Sequence, residues 1–356
     1  MNTQILTTPS GESYPILTGS GLLNTCGAEI AAIAAPCRAM IVSDSNVAPL
    51  YLSRAQKSLE AAGFSVSSFV VPAGEESKSV RVLGEVLEAF CEAHLTRTDL
   101  AVALGGGVIG DLTGFAAGCY LRGMRFVQLP TTLLSAVDAS VGGKTAVNLD
   151  HGKNLAGLFH QPIAVICDTD TLQTLPAHEI ADGSAEAIKH GILDDPALFD
   201  IYENGVPSEK YEEIIVRSVI YKSKIVTEDP NEKSVRKMLN LGHTPAHAIE
   251  RLSDFAVSHG HAVAMGLAMM TRAAAKRGIL SSDDAARVLR TIGRADLPTV
   301  CPYGAEEMAE IAALDKKASG NSITVILPER IGHCRMEKMA ISELTRLFSD
   351  GLEAQA

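Results

Sequence analysis

Leu100-Ala-Val-Ala-Leu-Gly-Gly-Gly-Val-Ile-Gly-Asp111 is the stretch whose reading decides the fold. Its first five residues are apolar and read as a buried strand, and the residues after the glycines read as the start of a helix. Gly105, Gly107 and Gly110 satisfy Gly-x-Gly-x-x-Gly literally. A glycine turn between a strand and a helix lets backbone N–H groups and the helix N-terminus approach a pyrophosphate. The pattern alone is a weak signal, and its position after a strand is what gives it force. Two features depart from the ordinary dinucleotide fingerprint: this is not the first strand-to-helix turn of the chain, and no acidic residue stands about twenty positions on to hold a ribose. The acidic candidates lie upstream, at Asp44 and at Glu75 in Pro72-Ala-Gly-Glu-Glu-Ser-Lys78. An NAD site spread over several strand ends is the preferred reading, with a plain tight turn as the alternative.

Outward from this turn, short β-rich runs alternate with helical patterns. The runs are Tyr14–Leu17, Arg38–Val42, Phe64–Val71, Leu100–Leu104, Arg125–Leu129 and Ile163–Cys167, with helix-like segments at Leu50–Ala62 and Val80–His94 between them. Strands spaced by helices predict βαβ units and a mostly parallel sheet, with binding at the carboxyl ends of its strands. From about Thr171 helical periodicity dominates, apart from β-like runs at Ser322–Leu327 and His333–Lys338. The chain is therefore expected to form an α/β domain over residues 1–170 and a mainly helical domain over 171–356, with the segment from about 152 to 170 as the passage between them. There is no internal repeat or low-complexity tract.

Composition narrows the partners. The 356 residues carry a formal charge of -11, no Trp and 4% aromatic residues, which argues against nucleic acid and anionic membrane. No long apolar run and no secretory leader pattern stand out, so a soluble cytoplasmic protein is expected. The seven cysteines are scattered without a Cys-x-x-Cys and read as free thiols.

Several stretches carry chemistry. Leu129-Pro-Thr-Thr-Leu-Leu-Ser-Ala-Val-Asp-Ala-Ser-Val-Gly-Gly-Lys-Thr-Ala-Val-Asn148 contains a fragment like a phosphate-binding loop, but the first glycine of that motif would fall on Asp138, which excludes the nucleoside-triphosphate reading. Arg122, Lys144 and Lys153 remain as cations near glycine turns, either solvated or arranged around an anion. Glu186 and Lys189, three apart in Leu175-Pro-Ala-His-Glu-Ile-Ala-Asp-Gly-Ser-Ala-Glu-Ala-Ile-Lys-His-Gly191, share a helical face. They are either a surface ion pair or, given their small apolar neighbours, part of a buried face on which a carboxylate needs a cation or metal. Lys222 lies on a basic helix. Arg236, Asn240, His243 and His247 fall at i, i+4, i+7 and i+11, which predicts one polar stripe of a single helix. His243 and His247 have the spacing of a metal-binding histidine pair or of two polar surface histidines, and His259-Gly-His261 follows.

Taken together and in order, Gly-Gly-Gly-Val-Ile-Gly-Asp, Arg-Gly-Met-Arg-Phe-Val-Gln-Leu-Pro-Thr-Thr-Leu-Leu, Val-Asp-Ala-Ser-Val-Gly-Gly-Lys-Thr, Gly-Lys-Asn, Ala-Glu-Ala-Ile-Lys-His-Gly and Leu-Asn-Leu-Gly-His-Thr resemble the 3-dehydroquinate synthase family of sugar-phosphate cyclases. The resemblance runs from Asp44 to Asp315-Lys-Lys317. It implies a Rossmann-like NAD domain, a helical metal domain and a site in the cleft between them. It implies zinc or cobalt held by Glu186, His243 and His259, and thus corrects the spacing argument by giving His247 to substrate chemistry. Three ligands leave open positions, as a catalytic metal requires. The implied substrate is 3-deoxy-D-arabino-heptulosonate 7-phosphate, converted to 3-dehydroquinate and phosphate by transient oxidation, elimination, reduction, ring opening and aldol closure. Arg122, Lys144, Lys153, Asn154, Lys189, Lys222, Arg236, Asn240, His247 and Lys316 or Lys317 match positions that bind phosphate, carboxylate and hydroxyls, Lys144 and Lys153 also matching the cofactor side. Asp138, Lys144, Lys189, Lys222 and His247 match the catalytic set, with Asp138 near the nicotinamide. Asp44, Asn46, Glu75, Lys78, Gly106, Gly107, Asp111, Thr131, Thr132 and Thr174 match cofactor positions. A homodimer is implied as well. Three departures stand out: His178 where the family has Arg, Pro245-Ala246 inside Gly-His-Thr-Phe-Gly-His, and His261 in place of Glu. Pro245 is expected in the first turn of a helix beginning near Thr244, and His261 is a rival ligand to His259. The rival readings are another sugar-phosphate cyclase, against which the retained Arg236, Asn240 and His247 speak, a metal-dependent polyol dehydrogenase, and a non-enzymatic binding module.

Overall fold

A computed structural model describes residues 1–8, 11–230, 232, 234–316 and 321–352. Two compact units emerge, Met1–Leu175 with Lys222–Pro230, and Pro176–Tyr221 with Asn231–Ala356.

The first unit contains β1 (Asn2–Thr7), β2 (Ser13–Gly19), α1 (Cys26–Ala31), β3 (Arg38–Asp44), α2 (Ser53–Ala61), β4 (Ser65–Val71), α3 (Val80–Glu92), β5 (Leu100–Gly105), α4 (Gly107–Cys119), β6 (Arg125–Pro130), β7 (Lys144–Leu149), β8 (Gly152–Phe159) and β9 (Ala164–Asp168). Seven strands form one sheet in the order β1-β2-β9-β6-β5-β3-β4, parallel except where β1 pairs with β2. Every residue of β5 is buried, as a central strand covered on both faces requires. Val102 and Leu104 face the cluster with Ile30 and Leu59 of α1 and α2, while Ala101 and Ala103 face Val86, Phe90, Leu112 and Ala116 of α3 and α4. The period of two thus feeds two separate cores.

Two elements were not foreseen. One is the antiparallel edge strand β1. The other is the hairpin of β7 and β8, which occupies much of the expected passage between domains. Its turn, Asp150-His151 between the paired Leu149 and Gly152, carries neither residue as glycine, so the usual hairpin signal is missing.

The second unit is built from α5 (Ala177–Leu193), α6 (Pro196–Asn204), the start of α7 (Tyr211–Glu228), α8 (His243–Leu252), α9 (His259–Lys276), α10 (Ser282–Arg294), α11 (Ala305–Lys316), the antiparallel hairpin of β10 (Ser322–Arg330) with β11 (His333–Ala340), and α12 (Leu344–Gly351). From Lys222 onward α7 belongs to the first unit. α9 packs against α5, α8, α10 and α12 and is buried nearly all round from Ala262 to Ala274. Capping fixes helix starts: Asp195 accepts from the N–H groups of Ala197 and Leu198, with Pro196 at the first helical position. All seven cysteines are free thiols. Among the described residues no helix is long and apolar enough to cross a membrane.

Candidate active site

In the first unit the predicted cofactor positions collect at the carboxyl ends of the parallel strands. Asp44 ends β3, the Glu75–Lys78 turn follows β4, Gly106 and Gly107 follow β5, Thr131 and Thr132 follow β6, and Thr174 follows β9. The chain runs outward from β3 to β4 and then back past β3 to β5, so β3 and β5 flank the point where strand order reverses. Ligands bind such sheets there. The side chain of Asp44 accepts from the N–H groups of Asn46 (2.8 Å) and Val47 (3.0 Å), which shapes the loop after β3. Lys78 Nζ lies 2.5 Å from Asp111 Oδ2 on α4. Burial pushes the Asp111 carboxyl above its ordinary range, and Lys78 opposes it. Glu75 Oε1 accepts from Asn148 Nδ2 at 2.7 Å, and Asn148 Oδ1 accepts from the Asn154 N–H at 2.9 Å. Asn148 therefore ties the turn after β4 to the hairpin that carries Lys144, Lys153 and Asn154. At Gly106 a Cβ would come 3.0 Å from Thr132 Cγ2, so a side chain there would push the two strand ends apart. Thr174 Oγ1 is 2.6 Å from the Tyr51 hydroxyl.

Lys222 is buried with its Nζ 2.8 Å from Asp138 Oδ1, and it also donates to the Asp138 carbonyl at 2.5 Å. Two predicted residues 84 positions apart are thus brought together within one unit. Arg122 is placed otherwise. It is exposed, follows α4, and precedes β6, at the amino ends of the strands and opposite the glycine turn.

In the second unit three helices converge. Glu186, in the middle of α5, is fully buried, and His243 and His259 are the first residues of α8 and α9. One donor atom from each of the three lies within 4.8 Å of the other two. His243 Nε2 is 3.5 Å and His259 Nε2 3.3 Å from Glu186 Oε1. Both rings turn the other nitrogen outward: His243 Nδ1 is 3.2 Å from the Leu241 carbonyl, and His259 Nδ1 is 3.5 Å from Glu250 Oε1. Backing of this kind on the distal nitrogen is typical of metal-ligating histidines. Lys189 pairs with Glu186 Oε2 one turn along α5 and is itself buried. Burial, with the Lys189 charge, pushes His243 down to about 3. Burial acts the same way on His259, but its contacts to Glu186 and Glu250 outweigh it and raise the imidazole to about 10. A divalent ion held by these donors would take the place of a proton on His259.

His247 is exposed, its ring centroid 5.7 Å from that of His243, and it is not among the three converging donors. Arg236 is buried and Asn240 donates to Glu232 at 2.9 Å. Their expected single stripe is broken: Val235–Asn240 is a short tight 3-10 helix, and α8 starts only after Gly242, which is left-handed at φ 77. Pro245 falls in the first turn of α8, where its missing N–H costs nothing. His261 Nδ1 is held 2.6 Å from Asp182 Oδ1, away from the three donors, and Ser258 joins the same carboxylate. His178 sits exposed in the first turn of α5. Lys316 ends α11, and Lys317 lies outside the described residues. Glu250 and Asn148 had no role in the sequence reading. Glu250 follows His243 by two helical turns, so helical phase was the available signal.

A dinucleotide-type α/β unit and a helical unit with three converging donors that could hold a metal define an NAD- and metal-dependent type of architecture, that of the sugar-phosphate cyclases. Residues 68–182 match the 3-dehydroquinate synthase N-terminal family profile and residues 183–318 the C-terminal one. A curated 3-dehydroquinate synthase of Rhizobium rhizogenes strain K84 is 43% identical over 348 residues, covering 92% of this chain and 91% of its own. Among solved structures, the 2-epi-5-epi-valiolone synthase of Streptomyces hygroscopicus subsp. jinggangensis, with NAD+ and Zn2+ bound, superposes with a TM-score of 0.86 at 27% identity over 95% of this chain and 96% of that one. A 2-deoxy-scyllo-inosose synthase complexed with carbaglucose-6-phosphate, NAD+ and Co2+ shares the fold, with a TM-score of 0.86 at 23% identity over 99% of this chain and 100% of that one. The chain belongs to the 3-dehydroquinate synthase family, and its function is that of this lyase-type cyclase.

Proposed function

We propose that the chain converts 3-deoxy-D-arabino-heptulosonate 7-phosphate to 3-dehydroquinate and phosphate with NAD at the strand ends of the first unit and a zinc or cobalt ion at Glu186, His243 and His259. The observation that carries this reading is the convergence of those three donors, each histidine backed at Nδ1. A buried carboxylate with two Nε2 atoms suits a borderline divalent ion and leaves coordination positions for substrate oxygens. The Gly106–Gly107 turn, which carries no side chain to shield its backbone N–H groups and where a Cβ at Gly106 would press on Thr132, suits the close approach of a pyrophosphate. When bound, NAD would supply a reversible hydride acceptor and the ion a Lewis acid at a substrate hydroxyl.

The chain's own residues bind, orient and move protons. Lys144, Lys153 and Asn154, on the hairpin that Asn148 ties to the Glu75 turn, offer two cations and an amide to the phosphate. Lys189 and Lys222, both buried beside carboxylates, hold fixed positive charge where an anionic substrate would otherwise meet acidic groups. Asp138, held by Lys222, takes the family's role near the nicotinamide, and Arg236 and Asn240 with Lys316 or Lys317 serve the substrate's carboxylate and hydroxyls. His247 is exposed next to His243 and is suited to exchange a proton with substrate. Asp44, Asn46, Glu75, Lys78, Gly107, Asp111, Thr131 and Thr174 complete the cofactor side. The family resemblance also supports a cytoplasmic homodimer.

The test is phosphate release from the heptulosonate phosphate with catalytic NAD and Zn2+ or Co2+. Release without net NADH is expected. Release only from a different sugar phosphate would overturn the substrate, and stoichiometric NADH would point to a dehydrogenase instead.

A further inference from the structure

The cluster in the second unit includes a second acidic group, Glu250, that is not one of its three converging donors. It lies on α8, seven residues after His243 and so on nearly the same face of the helix, and it is buried at 5% exposure. Its Oε1 stands 3.5 Å from His259 Nδ1, while His259 Nε2 stands 3.3 Å from Glu186 Oε1. The imidazole therefore bridges two carboxylates, one on each nitrogen. The backbone of Glu250 is itself fixed, since its carbonyl accepts from the Phe255 N–H at 2.7 Å and from Ser253 Oγ at 2.9 Å where α8 ends. His243 is backed differently, by the neutral Leu241 carbonyl.

We propose that Glu250 is a positioning residue for His259: it holds Nδ1 and aims Nε2 at the position shared with Glu186 and His243, so that α8 supplies one ligand directly and orients the ligand on α9. This rests on the metal reading above. A carboxylate on the distal nitrogen fixes the tautomer and raises the donor strength of the ring, and losing such a group weakens metal binding by about 10- to 100-fold. The asymmetry between the two histidines makes His259 the stronger donor of the pair.

The test titrates the metal-free protein with Zn2+ against a chromophoric chelator and records the visible absorption of the Co2+ form. It compares wild type with Glu250→Gln, Glu250→Asp and His243→Ala. Glu250→Gln is expected to bind about 10-fold more weakly and to shift the cobalt bands. Affinity within about twofold of wild type overturns the proposal. So does a loss matched by a fall in metal-free stability with unshifted cobalt bands. Should the Gln variant not fold, Glu250→Asp carries the test, because its carboxylate is drawn back by a methylene: a loss of about threefold supports the proposal, and none overturns it. Metal uptake by His243→Ala equal to wild type, or none by wild type, would instead sink the underlying metal assignment.

Discussion

Glu203 on α6 shows how much a single side chain can decide. Its Oε2 is 2.7 Å and its Oε1 2.9 Å from two nitrogens of Arg287 on α10, a two-pronged contact that joins the helices. The hydrogen bond and charge of Arg287 hold the carboxyl below its ordinary value of 4.5. A carboxylate lowered on folding stabilises the protein above that ordinary value, and the gain is lost as pH falls through the folded one. Glu203→Gln should therefore cost about 1.5 kcal/mol near neutral pH, with the gap to wild type narrowing below 4.5. Urea unfolding over a pH series checks this, and a gap independent of pH would show that the charge is not responsible. At this same scale sequence spacing was an incomplete guide. The four-residue interval of His243 and His247 pointed to two ligands on one helix, yet the atoms that converge come from α5, α8 and α9. Glu186 and Lys189 share a face as spacing predicts, but spacing could not say that the face is buried.

Among the elements, the packing of α8 on α9 sets the distance between the two histidines. Gly242 caps α8 in a left-handed conformation, and its carbonyl would lie 2.0 Å from a Cβ at Gly266 in α9. Backbone meets backbone there, so no flexible side chain can yield. Gly266→Ala is expected to lower stability by about 2 kcal/mol and to weaken Zn2+ binding, because α9 must move and carries His259 with it. Calorimetric unfolding with and without Zn2+ measures both, and an unaltered metal affinity would mean that this crossing does not set the histidine spacing. The same Gly242 explains why the predicted polar stripe failed: helical phase cannot carry across a left-handed residue. Most strands, by contrast, were legible, since β3 and β5 carry unbroken apolar runs closed by polar or turn residues and β6 is interrupted only by Gln128. β1 and the β7–β8 hairpin escaped because their residues are mostly exposed or partly exposed and the hairpin turn lacks glycine.

For the molecule as a whole, the residues proposed for the cofactor all fall in the first unit and the three converging donors all fall in the second. Gly106→Val should abolish NAD binding by pressing on Thr132 and displacing the glycine turn while leaving Zn2+ binding within about twofold. His243→Ala should do the reverse. Equilibrium binding of each ligand to each variant tests this, and parallel loss of both ligands in either variant would contradict independent sites. The sequence by itself determined the parallel α/β unit, the helical unit, the glycine turn and the family, because apolar periodicity, turn residues and ordered motifs are local and survive in one dimension. Only the tertiary structure decided that Lys222 joins Asp138 in the first unit, that Arg122 lies at the far ends of the strands, and that Glu250 backs His259. Those relations depend on which helix ends meet, and helix packing sets that through backbone contacts such as Gly242 on Gly266, which no spacing along the chain records.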